Sequence, residues 1–289
     1  MVAVPFSAGP FVLADTLVTV TTDDRDFAVA VEWCFRDLQP GADQPMPWTG
    51  PESVFEIRAP IADAGRWAMW QDGIPCELSL AEDYVLFHLQ WEFNRVVLER
   101  SQLTIHAAAV EIEGRAYIFP ASSMSGKTTL AGWMSVHGAG YVADEIVALD
   151  RQLRAASYRR PLGLRHGGPL EQFLVADVPV QPRFEAYEML TPVSGLGATS
   201  FPVGPWPVAG IVFPKYEVGA ATTITPLTRS VALERLCESA PGLARHGRMV
   251  FTQLAAMARK VPTVSLSLSD LPEADRALRE WAAANQVAA

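Results

Sequence analysis

The sequence predicts an α/β (α+β) protein: a smaller β-rich module over residues 1–100 that ends in a linking helix, then a larger domain of strands and helices over residues 101–289. Three observations lead there. Through residue 78, short apolar runs alternate with turn residues, the mark of consecutive short strands. Residues 116–134 read as an apolar strand, a small-residue loop and a helix, in that order. From residue 208 onward, strand-like and helix-like runs alternate again.

Within the first part, Phe11–Val20, Phe27–Phe35, Ser53–Ala59 and Arg66–Gln71 are the expected strands. Asp23-Asp24, Gln39-Pro40-Gly41 and Asp72-Gly73 separate them. Trp33, Trp48, Trp67 and Trp70 all fall here. An aromatic cluster can bind a ligand, but packing of a small β layer is the preferred reading. Ser79-Leu80-Ala81-Glu82 has the form of a capping box, and no Gly or Pro interrupts the chain from there to Leu98. Apolar residues from Tyr84 and Val85 to Val96 and Val97 nearly surround that helix, so it is expected to be buried between layers. With no chemistry-bearing set of residues, the module reads as recognition or scaffold.

Leu103–Ile112 and Arg115–Phe119 are expected to form a hairpin around Glu113-Gly114. The second strand runs into Ala121-Ser122-Ser123-Met124-Ser125-Gly126-Lys127-Thr128-Thr129 and then a helix through Leu130, Ala131, Trp133 and Met134. This is the order of a P-loop, G-x-x-x-x-G-K-S/T, with Ala121 in place of the first glycine. The order has a physical reason. Backbone N–H groups of residues 122–129 converge on phosphate oxygens, and the helix start adds partial positive charge. Lys127 is then expected to reach the β- and γ-phosphates and the Thr128 hydroxyl to coordinate Mg²⁺. The competing reading is a Gly-Lys-Thr tripeptide at an ordinary helix start.

Val136-His137-Gly138-Ala139-Gly140 stops that helix, and Tyr141-Val142-Ala143 is a short strand ending in Asp144-Glu145. Two acids there suit phosphoryl transfer: one for the metal, one to position the attacking hydroxyl or accept its proton. A solvated strand end is the bland alternative. His106, within an apolar strand, taken alone reads as a core histidine. Arg159-Arg160, after the strand-like Arg154–Tyr158, are either a phosphate or substrate clamp or surface solvation. Residues 167–208, rich in Pro and Gly, are the expected mobile or substrate-facing excursion. Strand Val208–Phe213 leads to Lys215, which either meets the phosphates or snorkels at the surface. Strand Thr222–Pro226, helices Ser230–Glu238 and Leu243–Lys260, strand Thr263–Leu268 and a final helix Glu273–Asn285, capped by Asp270, complete the chain.

The chain is long enough for a sizeable core, with 289 residues of which 49% are hydrophobic. A net charge of −9 without any basic block argues against nucleic acid or an anionic membrane as partner. The opening residues lack the layout of a signal peptide, and no apolar run approaches a membrane span. Cys34, Cys76 and Cys237 are scattered and odd in number, which reads as buried free thiols in a reducing cytoplasm.

His106, the loop Ala121–Thr128 and the Asp144-Glu145 pair together resemble the catalytic domain of HPr kinase/phosphorylase. They are more similar still to the HPr-kinase-related serine kinases found beside modified-peptide biosynthesis genes. His106 stands 15 residues before Ala121, and Asp144 follows Lys127 by 17, as in that family. Leu103–Asp150 carries the match; Ala209–Pro226 and the helical C-terminus resemble it more weakly, and residues 1–100 only in general style. The resemblance implies a mixed sheet carrying the P-loop, akin to phosphoenolpyruvate carboxykinase rather than to Ras-like NTPases. It implies ATP- and Mg²⁺-dependent phosphorylation of a serine on a protein or peptide; the reading adopted is a kinase of a Ser or Thr hydroxyl on a small protein or peptide, with a homo-oligomer allowed. By position, Lys127 and Thr128 bind phosphates and Mg²⁺, Asp144 is the general base, Glu145 is the metal-side acid, and His106 lies near Asp144. The Glu-x-Arg-Gly signature of bifunctional HPr kinases is absent; Arg159-Arg160-Pro161-Leu162-Gly163 takes roughly its place. HPr itself and phosphorylase activity are therefore not implied. Two other readings stay open: a kinase of free serine or another small hydroxy compound, and a nucleotide-sensing module with weak catalysis.

Overall fold

The computed structural model describes residues 5–40, 50–60, 65–122, 124–175, 179–180, 182–185, 188–201 and 204–286. Helices and several sheets are mixed along the chain, an α/β protein that divides into two units. One unit is drawn from Met1–Arg100 and Arg160–Leu196, the other from Ser101–Arg159 and Gly197–Ala289.

In the first unit, β1 (Phe6–Leu13), β2 (Thr16–Thr22), β3 (Glu52–Arg58), β4 (Trp67–Gln71) and β5 (Ile74–Leu80) form one sheet in that order. Only β2 and β3 run parallel; the other neighbours are antiparallel. Burial alternates along β2, with Thr16, Val18, Val20 and Thr22 inward, as a strand with one covered face requires. The expected strand Phe27–Phe35 is instead helix α1 (Arg25–Cys34). Asp24 caps it, its Oδ1 accepting the Phe27 N–H at 2.8 Å. Phe27, Ala30, Val31 and Cys34 then share the buried face at helical spacing.

Asp72 and Gly73, at φ +51° and +78°, make the expected turn, and β5 follows it. The capping-box reading of Ser79 is corrected: Ser79 and Leu80 close β5, a short 3₁₀ turn spans Glu82–Tyr84, and α2 runs over Val85–Arg100. Nor is α2 covered all round, since Trp91 is exposed. Trp67 is core, packed at 5.2 Å from the Phe27 ring, whereas Trp48 lies outside the described residues. Cys34 alone of the three free cysteines is fully buried.

On α2, Glu92 is 3% exposed and takes Arg95 Nε at 2.7 Å, with His88 Nε2 3.6 Å away. Burial would raise this carboxyl, but the His88 and Arg95 interactions outweigh it and hold Glu92 below its ordinary 4.5. A depressed folded value means stability that is complete above pH 4.5 and lost as pH falls through the folded value. Glu92→Gln should therefore cost about 1–3 kcal/mol at pH 7 and almost nothing at the acid end. Urea unfolding of both proteins at pH 7 and at an acid pH below the folded value, where the carboxyl is protonated, checks this; a cost independent of pH counts against the ionised pair.

The second unit contains β6 (Leu103–Ile105), β7 (Ala107–Ile112), β8 (Arg115–Pro120), α3 (Lys127–Val136), β9 (Gly140–Ala143), β10 (Val147–Leu149) and β11 (Arg154–Ala155). After the first-unit pair β12 (Leu162–Leu164) and β13 (Met189–Thr191), it resumes with β14 (Trp206–Tyr216) and β15 (Thr223–Pro226). It ends with α4 (Arg229–Glu238), α5 (Gly242–Lys260), β16 (Thr263–Leu268) and α6 (Leu271–Gln286). Its strands make a nine-stranded sheet, β6-β10-β11-β14-β8-β7-β9, with β16 beside β14 and β15 beside β16. The hairpin of β7 and β8 turns at Glu113-Gly114 as expected, both at positive φ. Strand β8 is antiparallel to β7 on one flank and parallel to β14 on the other, and β14 is parallel to β16. The carboxyl ends of β8, β14 and β16 therefore point the same way. Val110, Phe119, Leu130, Met134, Leu266 and Leu278 belong to the core beneath them. Gly210 lets α6 approach closely, for a Cβ there would stand 2.6 Å from the Trp281 ring. Asp270 caps α6 as expected, accepting the Glu273 N–H at 2.8 Å.

The expected unbroken domain over 101–289 is corrected by residues 160–196, which pack into the first unit. Phe184 is buried edge-on to Phe27 and Trp67, Cys34 donates to Leu190 O at 3.2 Å, and Arg183 binds Asp24 and Glu82. Much of the expected Pro- and Gly-rich excursion is thus anchored. Among the described residues, no helix is long and apolar enough to cross a membrane.

Candidate functional site

Between Pro120 at the end of β8 and Lys127 at the start of α3, the chain turns over a short loop. Gly126 precedes the helix at φ +89°, a left-handed conformation that a glycine adopts without steric cost. Gly126 as N-cap makes no side-chain cap bond, which among the described residues leaves the first-turn amides at the positive end of the dipole without one from the cap residue. Met124 also adopts a left-handed conformation, at φ +70°, whereas Ala121 does not. The left-handed geometry falls at Met124 and Gly126, so alanine at position 121 costs the turn nothing. Ser122 is exposed, Thr129 half-buried, and Ser123 lies outside the described residues. The Ser125 hydroxyl is buried and has no hydrogen-bond partner among the described residues. The Ser125 carbonyl accepts the Tyr216 N–H at 3.1 Å, which ties the loop to the end of β14. Sequence alone offered no signal for that tie beyond the parallel strand ending nearby.

Two breaks in strand pairing bring the remaining side chains to this loop. The expected strand Leu103–Ile112 is divided at His106: β6 pairs with β10, and β7 with β9. On the partner side, Asp144–Ile146 divides β9 from β10. Ile146 N–H bonds Asp144 O at 2.8 Å, a three-residue turn with Glu145 at φ +65° in its centre. A non-glycine residue held there is the kind of local strain found at functional sites. The Glu145 carbonyl accepts the Ala107 N–H at 3.3 Å, so each break braces the other.

The two acids face different partners. Asp144, 1% exposed, receives the Thr128 hydroxyl at 3.1 Å and 3.2 Å from its two oxygens. Glu145 Oε1 lies 3.1 Å from Lys127 Nζ, and its Oε2 lies 3.3 Å from His106 Nδ1. Lys127 is nearly buried, and a buried ammonium needs such a partner. Glu145 and His106 both remain about one-third exposed. This differs from the division implied by the resemblance, in which Asp144 was the base and Glu145 the metal-side acid. The acid beside the threonine hydroxyl is Asp144, because the turn aims consecutive side chains in different directions.

The clamp residues are not gathered in the same way. Tyr158 bridges Ala143 in parallel register, which places Arg159 level with Asp144, its guanidinium 5.9 Å from the Phe201 ring. Arg160 is buried in the first unit, bonding Pro161 O. Lys215 is exposed and paired with Glu217 at 2.7 Å, the surface alternative.

The donor set fits a triphosphate with Mg²⁺. A buried orphan hydroxyl, uncapped amides and an amine beside them suit anionic oxygens, and a hydroxyl next to a carboxylate suits a hard cation. Among the described residues, no three His, Cys, Asp or Glu side chains surround a common point. Mg²⁺ does not need such a cage, since one or two carboxylates plus phosphates and water ordinarily hold it. The chain matches no protein-family model and no curated protein.

Proposed function

We propose that the chain is an ATP-dependent kinase of the HPr-kinase-like type, its P-loop carried on a mixed sheet akin to that of phosphoenolpyruvate carboxykinase. It transfers the γ-phosphoryl group to a Ser or Thr hydroxyl of a small protein or peptide. The observation that carries this reading is the convergence of Thr128 with Asp144, and of Lys127 with Glu145 and His106, on one loop.

Loop amides and Lys127 hold the β- and γ-phosphate oxygens, with the Ser125 hydroxyl as a further donor. Thr128 and Asp144 would hold Mg²⁺, which would supply charge neutralisation at the phosphates. Glu145, more exposed than Asp144, faces an incoming hydroxyl and takes its proton as the oxygen bonds to the γ-phosphorus. The bond from that phosphorus to the bridging oxygen breaks, and ADP leaves with the electron pair. His106 orients the Glu145 carboxylate, and Lys127 shifts from Glu145 to the phosphates. Dependence on ATP supports a cytoplasmic setting for this chemistry.

The test is transfer of label from γ-labelled ATP to a panel of Ser- and Thr-containing peptides, with free serine as a parallel acceptor. Labelled peptide supports the proposal. Label on free serine alone moves the activity to a small-molecule kinase, and binding of Mg-ATP without transfer to any acceptor makes the chain a nucleotide sensor.

A further inference from the structure

We infer that Tyr216 is the platform on which the purine of the bound nucleotide stacks. The inference rests on the nucleotide reading above and extends it to the nucleoside. Both acids directly follow β9 and His106 directly precedes β7, the two strands on the β7 flank of β8. That flank is where the γ-phosphate must react. The opposite flank of β8 belongs to β14, whose carboxyl end delivers Tyr216. In parallel sheets, ligands bind beyond the carboxyl ends of the strands, so this second flank is where the rest of the nucleotide has room.

Tyr216 is built into the loop. Its N–H holds the Ser125 carbonyl, and its Cβ is 3.4 Å from where a Cβ on Gly126 would stand. Tyr216 is 49% exposed. Its surroundings are rigid: Tyr216 pairs with Leu268 of β16, Glu217 N–H bonds Leu268 O at 3.0 Å, and the Ser269 hydroxyl bonds Ala220 O at 2.9 Å. Met124 and Val218, both exposed, lie in the same two stretches of chain. Of the five exposed large hydrophobics described in the second unit, three are therefore in the loop or within two residues of its anchor. Apolar surface concentrated beside a polar phosphate loop has no packing purpose, and an aromatic face accepts a purine by stacking.

Calorimetry of wild type, Tyr216→Ala and Tyr216→Phe with Mg-ATP and with Mg-tripolyphosphate tests this. Tripolyphosphate carries the same anionic chain without a base, and the alanine variant keeps the backbone N–H that anchors Ser125. Tyr216→Ala should weaken ATP binding about tenfold or more, with tripolyphosphate changed by less than about twofold and Tyr216→Phe close to wild type. ATP binding unaltered in Tyr216→Ala overturns the inference and leaves the kinase reading standing. Equal weakening of both ligands also overturns it, since the ring would then serve only the loop's shape. If wild type binds neither ligand, the nucleotide reading itself fails and this inference fails with it.

Discussion

Glu145→Gln is expected to lower phosphoryl transfer by about 10²–10⁴-fold, the usual worth of a general base, while Mg-ATP still binds. The amide keeps the size of the side chain and a hydrogen bond toward His106, but it cannot take a proton from the acceptor. Asp144→Asn should behave differently. Its oxygen still accepts the Thr128 hydroxyl, but the negative charge beside that hydroxyl is gone, so the Mg²⁺ needed for half-maximal rate should rise about tenfold. Initial rates against Mg²⁺ concentration for both variants separate the roles. Should Asp144→Asn lose turnover at saturating Mg²⁺ while Glu145→Gln changes only the Mg²⁺ requirement, the acids have the opposite duties, as the family resemblance implied. The geometry favours the first outcome because Asp144 is buried against Thr128, whereas Glu145 faces outward between Lys127 and His106.

Lys127→Ala should reduce transfer by about 10²–10³-fold and weaken Mg-ATP, since one preorganised donor to the transferring group is removed. Stability should change little. Glu145, one-third exposed, loses an ion pair but keeps His106 and solvent, so the cost is within about 1 kcal/mol. Lys127→Arg should not restore activity, because a planar guanidinium does not occupy the nearly buried space of a compact amine. Thermal unfolding together with labelled-ATP transfer checks the set. An alanine variant that transfers phosphate at the wild-type rate removes the loop from the mechanism.

The parts of this chain legible in advance are those with local causes. Glu113-Gly114 announces the hairpin of β7 and β8, and Asp270 caps α6 from one turn away. Gly126-Lys127 marks where strand gives way to helix. Phe27–Phe35 contains enough β-branched and aromatic residues to resemble a strand, whereas the signal for helix α1 is Asp24 before buried residues at helical spacing. At Ser79 the opposite holds: the local capping-box motif is present, but the residues pair as part of β5 with β4.

Within the candidate site, the residue types at the loop, at His106 and at Asp144-Glu145 were written in the sequence, because their spacing and the strand–loop–helix order are properties of the chain itself. Which acid meets Thr128 and which meets Lys127 was decided only by the folded sheet, where a left-handed turn at Glu145 swings neighbouring carboxylates apart. The tie between Tyr216 and Ser125, and the docking of residues 160–196 on the first unit, were likewise decided there. Both join residues far apart in the chain, and contacts of that kind depend on strand order and register, which no local stretch of sequence encodes.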